Sequence, residues 1–256
     1  MKIFDSHAHL NDPQFKKDLE EVIGRAREKG VEAILIPGYD LPSSIKSIEI
    51  SESYSFYSSI GLHPHDAKKF TGNTLSEYER LLHRSNRVVA IGEIGLDFYK
   101  NYSPPDIQIK VFREFLTLSA KHNLPVILHV RNAFDETFRI LEDFEKDLPA
   151  IIFHCFSGGP EEIVHLSSKP NYFVSFSATI TYKNTKLIKA VEILPLEKIL
   201  VETDAPYLTP STLRGRNEPA YVVEVVKKLS EIKKIDPAKL AEITYSNTIR
   251  AFRIEK

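Results

Sequence analysis

Short apolar runs recur along the chain, separated by longer stretches whose apolar residues follow helical spacing. The runs are KIFDSHAHL, VEAILIPG, FYSSIGLHP, VVAIGEIGLD, PVILHVR, PAIIFHCFSG, YFVSFSAT and KILVETDAP. They are continuously apolar rather than alternating, as parallel strands covered on both faces are. Between them QFKKDLEEVIGRAREKG, LSEYERLLHRS, DIQIKVFREFLTLSAKHN, FDETFRILEDFEK and NTKLIKAVEIL predict helices. Gly30 is placed to end the first, and the third stops at Asn123, just before Leu124 and Pro125. Two more helical patterns follow the eighth run, AYVVEVVKKLSEIKK and DPAKLAEITYSNTIRAFRI, the latter with Asp236 as N-cap and Pro237 in its first turn.

Eight apolar strands alternating with helices predict a parallel sheet with right-handed crossovers, which either a closed barrel or an open doubly wound sheet satisfies. The polar residues decide between them. In six of the eight runs metal-capable side chains stand at or near the C-terminal end. A closed barrel gathers all its strand ends around one axis, whereas an open sheet gathers only two or three at its switch point. The expectation is an α/β fold, a single eight-stranded parallel (β/α)8 TIM barrel over residues 1–256, with a metal site at its C-terminal face. The sequence shows no linker, repeat array or low-complexity segment to divide it.

Composition narrows the chemistry. The 256 residues, 42% hydrophobic and 27% charged, suffice for a large core. The single cysteine, Cys155, excludes an internal disulfide and a thiolate zinc cage, so a metal would be held by histidines and carboxylates. The sequence shows no signal-like segment and no apolar stretch of the roughly 18 residues a membrane span needs, and the expected location is the cytoplasm. A net charge of -1 exerts no long-range pull on a polyanion, so a nucleic acid would be held by local groups or by a metal.

His7 and His9 stand two apart on the first run and share a face if it is extended. Two inward imidazoles require partners. Glu93 sits inside an apolar run with glycines on both sides, His129 and Arg131 end the fifth run, His154 the sixth, and Glu202 and Asp204 share a face at the end of the eighth. Any one of these alone reads as a structural or solvated group, but their coincidence on five strands points to a shared pocket. His7, His9, Glu93, His129, His154 and Asp204 exceed what one tetrahedral zinc with an open water position needs, and suit two divalent ions sharing a carboxylate. Zinc, magnesium, manganese and cobalt all accept such ligands.

Around this set lie candidate substrate contacts. His63 and His65 end the third run and are assigned to substrate binding, with capping of the following turn as the alternative for His65. Arg131 presents a planar guanidinium suited to phosphate or carboxylate, the alternative being an ion pair with Glu93 or Glu202. Arg214, Arg216 and Asn217 in RGRNEP form either a substrate loop or a solvated basic turn. Tyr99, Tyr102, Phe134 and Tyr207 follow strand ends, where they stack bases or pack against the core. His83, His122 and His165 lie in helical patterns and read as surface or packing groups.

In the order DSHAHL, GLHPH, AIGEIGLDF, PVILHVR, FHCFSG and VETDAPYL followed by RGRNEP, essentially the whole chain resembles the TatD family of metal-dependent hydrolases, within the amidohydrolase-like superfamily. The resemblance implies a monomeric or weakly associated barrel acting as a divalent-metal-dependent deoxyribonuclease. It implies that His7, His9 and Asp204 hold one ion, His129 and His154 the other, that Glu93 bridges them, and that His63 and Arg131 contact the scissile phosphate. On that reading a metal-activated water attacks phosphorus, Asp204 takes its proton, and Glu202 orients a ligand from behind. With only local basic groups, cleavage at single-stranded ends is expected over a grip on duplex. Two rival readings are hydrolysis of a carboxylic ester or amide (a lactone, cyclic amide or aminoacyl-tRNA) and a catalytically inactive metal- or nucleotide-binding barrel.

Overall fold

The structure, a computed structural model, describes residues 1–254. Among these residues the strands are β1 Ile3–Asp5, β2 Val31–Pro37, β3 Tyr57–Ile60, β4 Val88–Asp97, β5 Val126–Arg131, β6 Ile151–Phe153, β7 Tyr172–Phe176 and β8 Ile199–Val201. The helices are α1 Leu19–Glu28, α2 Leu41–Tyr54, α3 Thr74–Leu82, α4 Pro105–His122, α5 Phe134–Leu141, α6 Pro160–Ser168, α7 Leu187–Ile193, α8 Val222–Lys233 and α9 Pro237–Ala251. Each strand pairs in parallel with the next in chain order. The circle is closed where the Ser6 N–H donates to the Val201 carbonyl at 2.9 Å, which makes a barrel of the two architectures that the alternation allowed. No helix among the described residues is long and apolar enough to cross a membrane.

Two apolar layers follow from the two-residue period of the strands. Phe4, Leu35, Ala90, Ile127, Ile152, Phe173 and Leu200 form a small cluster that fills the barrel, closed below by Phe252. The intervening Ile3, Ile34, Ile91, Leu128, Ile151, Val174 and Ile199 join the larger cluster under the helices. Carried two residues onward, the inward set Ile127, Ile152 and Leu200 reaches His129, His154 and Glu202 at the mouth. The same periodicity that packs the interior therefore delivers the polar residues to one end.

Strand lengths depart from the apolar runs. β1 stops at Asp5, β6 at Phe153 and β8 at Val201, so His7, His9, His154, Glu202 and Asp204 lie on segments that have already left the sheet. These segments are held by cross-barrel bonds instead: Ala8 N–H to Leu35 O at 3.0 Å, His9 N–H to Ala205 O at 2.7 Å, and Asp204 N–H to His7 O at 2.9 Å. The expectation that His7 and His9 share a strand face is thus corrected, although both rings still arrive at one place.

The helical patterns are found with trimmed ends. Gly30 takes φ 85° just beyond α1, Asn123 takes φ 51° just beyond α4, and Asp236 caps α9 by accepting the N–H groups of Ala238 and Lys239. Two helices outside the predicted set are α2 and α6. In α2 the buried face carries Ser43, Ser44, Ser47 and Ser51 beside Ile48 and Ile50, so an apolar stripe is missing even though Asp40 and Ser43 form a full capping box.

Candidate active site

Glu93 is the centre of the mouth, and an irregularity in β4 aims it there. Ile91 pairs with Val126 and Ile94 with Leu128, so β4 carries one more residue than β5 over this span. Without it the alternation from Ala90 would turn Glu93 outward. The glycines around it serve the neighbouring strands. A Cβ on Gly61 would stand 2.6 Å from the Gly92 carbonyl carbon, and one on Gly95, at φ 136°, would stand 2.1 Å from the His129 carbonyl oxygen.

The two oxygens of Glu93 face different partners. Oε2 lies 3.6 Å from His7 Nε2 and 3.7 Å from His9 Nε2. Oε1 lies 2.9 Å from His154 Nε2, 3.1 Å from His129 Nδ1 and 3.3 Å from His63 Nε2. Asp204 completes the first group, its Oδ1 lying 3.4 Å from His9 Nε2 and 3.8 Å from His7 Nε2. The donor atoms of His7, His9 and Asp204 all fall within 4.8 Å of one another, as do those of Glu93, His129 and His154. All six residues picked out by the strand-end pattern therefore converge.

Their arrangement fits cations. His7 Nε2 and His9 Nε2 approach to 3.2 Å, where at least one must lack a proton. His154 Nε2 sits 2.9 Å from Glu93 Oε1 yet makes no hydrogen bond among the described residues, so the two atoms aim at a common point rather than at each other. With oxygen and imidazole donors and no thiolate, each group has the chemistry of a divalent-ion site.

Charge agrees with this geometry. Burial would raise the Glu93 carboxyl, but the nearby rings of His154, His63 and His129 outweigh it and hold it well below the carboxylate range. Asp204, likewise opposed by burial, is lowered by His9 and His7. Burial pushes His63 down to about 4 and also lowers His7, leaving neutral rings with lone pairs. His154 runs the other way: burial lowers it, while Glu93 and Glu202 raise it well above an ordinary imidazole. A proton there occupies ground that a metal cation would claim, so binding would release it.

Behind the imidazoles stand two further carboxylates. Glu202, fully buried, lies with Oε1 3.4 Å from His154 Nδ1 and accepts the Cys155 N–H at 2.7 Å. Asp97 does the same for His129, with Oδ2 3.1 Å from His129 Nε2 and 2.8 Å from His65 Nε2, while Oδ1 accepts the N–H groups of Tyr99 and Lys100. Asp97 is absent from the residues selected by the sequence pattern. Its signal was present in GEIGLD, because it stands at even spacing from Glu93 on the same strand.

The remaining candidates separate. His63, His65 and Arg131 line the same cleft, of about 1190 Å³. The ring nitrogen that His65 turns to Asp97 is engaged there, and it is His63 that caps the following turn by accepting the His65 N–H. Arg131 pairs with neither Glu93 nor Glu202; its guanidinium lies 4.0 Å over the Tyr99 ring. In the loop after β8, Arg216 is committed to Asp18, Glu218 and the face of Phe15. Asn217, fully buried, donates to the carbonyls of Thr203 and Tyr207. Both hold the loop in place, and neither they nor Arg214 line the cleft: Arg216 is turned to Asp18 at the start of α1, and Asn217 to the segment after β8.

Comparison with known proteins gives the family of this barrel. The family described as TatD related DNase matches residues 4–253. The chain is 42% identical over 255 residues to the metal-dependent hydrolase YabD of Bacillus subtilis, covering 98% of this chain and 99% of that protein. It is 35% identical over 262 residues to the 3'-5' ssDNA/RNA exonuclease TatD of Pectobacterium parmentieri, covering 98% and 100%. The crystal structure of YjjV, a TatD homologue of Escherichia coli, superimposes with a TM-score of 0.92 at 30% identity, covering 99% of this chain and 98% of that one. A barrel whose strand ends gather these histidines and carboxylates, with a family match along nearly its full length, belongs to the TatD family of metal-dependent hydrolases.

Proposed function

We propose that this enzyme is a two-metal phosphodiesterase that removes nucleotides from single-stranded nucleic acid. The observation that carries the reading is the split of Glu93, one oxygen toward His7 and His9 and the other toward His129 and His154. His7, His9, Asp204 and Glu93 would hold one ion, and Glu93, His129 and His154 the other. When bound, a pair of divalent ions supplies an acidified water and positive charge against the phosphate oxygens.

The protein's own groups do the rest. Asp204, the more exposed of the two ligand carboxylates, receives the proton of the attacking water. His63, held neutral by burial, and Arg131 stand at the cleft wall to meet phosphate oxygens. Glu202 and Asp97 keep His154 and His129 turned toward Glu93. The nucleic-acid substrate is supported by the relatives named as exonucleases on single-stranded DNA and RNA.

The test is hydrolysis of a labelled single strand by chelator-stripped protein with magnesium, manganese, cobalt or zinc restored, alongside a lactone panel. Asp204→Asn is expected to keep the fold and most of the metal while losing at least ~100-fold in turnover. Near-parent turnover by that variant would remove Asp204 as proton acceptor, and lactone hydrolysis without strand cleavage would replace the phosphodiesterase reading.

A further inference from the structure

The cleft carries one set of groups that the hydrolytic reading leaves idle. Among the large apolar side chains left exposed are Tyr99, Tyr102 and Tyr207, which all follow strand ends; Tyr102 and Tyr207 line the cleft, and Tyr99 stands beside it against Arg131, which lines it. Tyr99 and Tyr102 are each 56% exposed and share the loop between β4 and α4. Exposed aromatic rings on a mobile loop would mean little, but this backbone is fastened. Asp97 accepts the N–H groups of Tyr99 and Lys100 at 3.0 and 2.8 Å. Ser103, fully buried, donates to the His65 carbonyl at 2.8 Å and accepts the Lys68 N–H at 3.0 Å, and Gln108 donates to the Ser103 carbonyl at 2.8 Å.

Two cations accompany the rings. Arg131 lies 4.0 Å over Tyr99, and Lys100 lies 5.8 Å from Tyr99 and 6.0 Å from Tyr102. Neither forms an ion pair among the described residues, so both charges are free to meet an anion. The shelf also abuts the chemistry. Tyr102 packs edge-on against His65 at 4.8 Å, His65 shares the Asp97 carboxylate with His129, and His129 touches Glu93.

We propose that Tyr99, Lys100, Tyr102 and Arg131 form a stacking shelf for the unpaired bases that flank the cleaved bond. This rests on the phosphodiesterase reading and adds how the strand is gripped. Rings offer a π-face to any base and ignore the sugar 2' position, while the two cations meet adjoining phosphates. Such a shelf selects unpaired over paired bases, because both faces of a base inside a duplex are already covered by its neighbours. It also adds a local grip to a molecule whose net charge of -1 exerts no long-range pull on a polyanion.

The experiment crosses two protein changes with one substrate change. KM and kcat are measured for the parent, Tyr102→Ala, Tyr99→Ala and Tyr102→Phe on a ten-nucleotide thymidine strand, and on the same strand lacking the bases of its two 3'-terminal nucleotides. Melting temperatures check the fold of these surface variants. Stacking by one ring raises KM about 5- to 100-fold when it is lost. The expected result is that magnitude in the parent when the bases are removed, a comparable rise in Tyr102→Ala on the complete strand, and parental values in Tyr102→Phe. On the strand without bases, parent and Tyr102→Ala are expected to share one KM. Alanine variants that match the parent on the complete strand, or that lose equally on both strands, overturn the shelf while leaving the phosphodiesterase intact. A parent that cleaves neither strand with any of the four metals overturns both.

Discussion

Asp97 shows how much one carboxylate oxygen can determine. Its Oδ2 faces Nε2 of both His65 and His129, and its Oδ1 receives two backbone N–H groups. Burial would raise this carboxyl, but the bond from His129, the Lys100 N–H and the bond from His65 outweigh that and keep it ionised far into acid. An ionised acceptor fixes the proton of His129 on Nε2, which leaves the Nδ1 lone pair for an ion beside Glu93. Asp97→Asn cannot keep both sets of partners: with its oxygen on the backbone N–H groups, its amide donates toward His129 and moves the ring proton to Nδ1. Metal affinity at the Glu93–His129–His154 position is expected to fall about 10- to 100-fold, measured by calorimetric titration of the stripped protein. A variant with parental affinity would show that the ring is oriented by other contacts. The six converging side chains were legible as strand-end histidines and carboxylates, because the chemistry they are suited to depends on residue type. The supporting carboxylates were legible only in part: Glu202 stands two residues from Asp204 and Asp97 four from Glu93, but each serves a histidine on another strand, a pairing that no spacing in the sequence records.

Among the elements, β4 and β5 carry the tightest tolerance. Gly95 at φ 136° has the His129 carbonyl oxygen 2.1 Å from where a Cβ would be, so Gly95→Ala must push the two strands apart. A loss of about 2–4 kcal/mol in urea unfolding is expected, together with loss of metal, because the separation of Glu93 from His129 changes with it. Gly24, inside α1, has nothing within 4 Å of its Cβ position, and Gly24→Ala should instead gain about 0.5–1 kcal/mol. Equal effects at the two sites would contradict this account of why β4 holds its glycines. Hydrophobic period revealed the eight strands because burial on both faces writes a continuous apolar run. It could not reveal their ends, which are fixed by cross-barrel bonds such as Ala8 N–H to Leu35 O, nor the extra residue in β4. Nor could it reveal α2, where serines such as Ser44 and Ser47 turn their hydroxyls back on the helix or toward β3 and so fill an interior face without being apolar.

At the scale of the whole molecule, closure is secured by a buried acid. Asp5, at the end of β1, accepts the Thr203 N–H at 2.9 Å and approaches the Thr203 hydroxyl at 2.6 Å, tying the first strand to the segment after the last. Burial pushes its carboxyl up to about 8 against the opposing hydrogen bonds of Thr203 and His7. An unfolded aspartate ionises near 3.8, so between that pH and about 8 unfolding releases a proton and this group's contribution to stability declines as pH rises. Asp5→Asn removes the decline. In chelator, the unfolding free energy of the parent relative to the variant should fall by up to ~1.4 kcal/mol per pH unit across pH 5 to 7; a difference that stays flat would mean that Asp5 is already charged in the fold. The same seam has a consequence for assembly. His7 and His9 come from the opening residues and Asp204 from beyond the eighth strand, whereas Glu93, His129 and His154 belong to the middle of the polypeptide. On the proposed two-ion reading, one cation pocket would take shape from a contiguous stretch of chain while its twin would wait until the ring is complete, so full loading with metal would certify that the newest and oldest parts of a nascent protein have met.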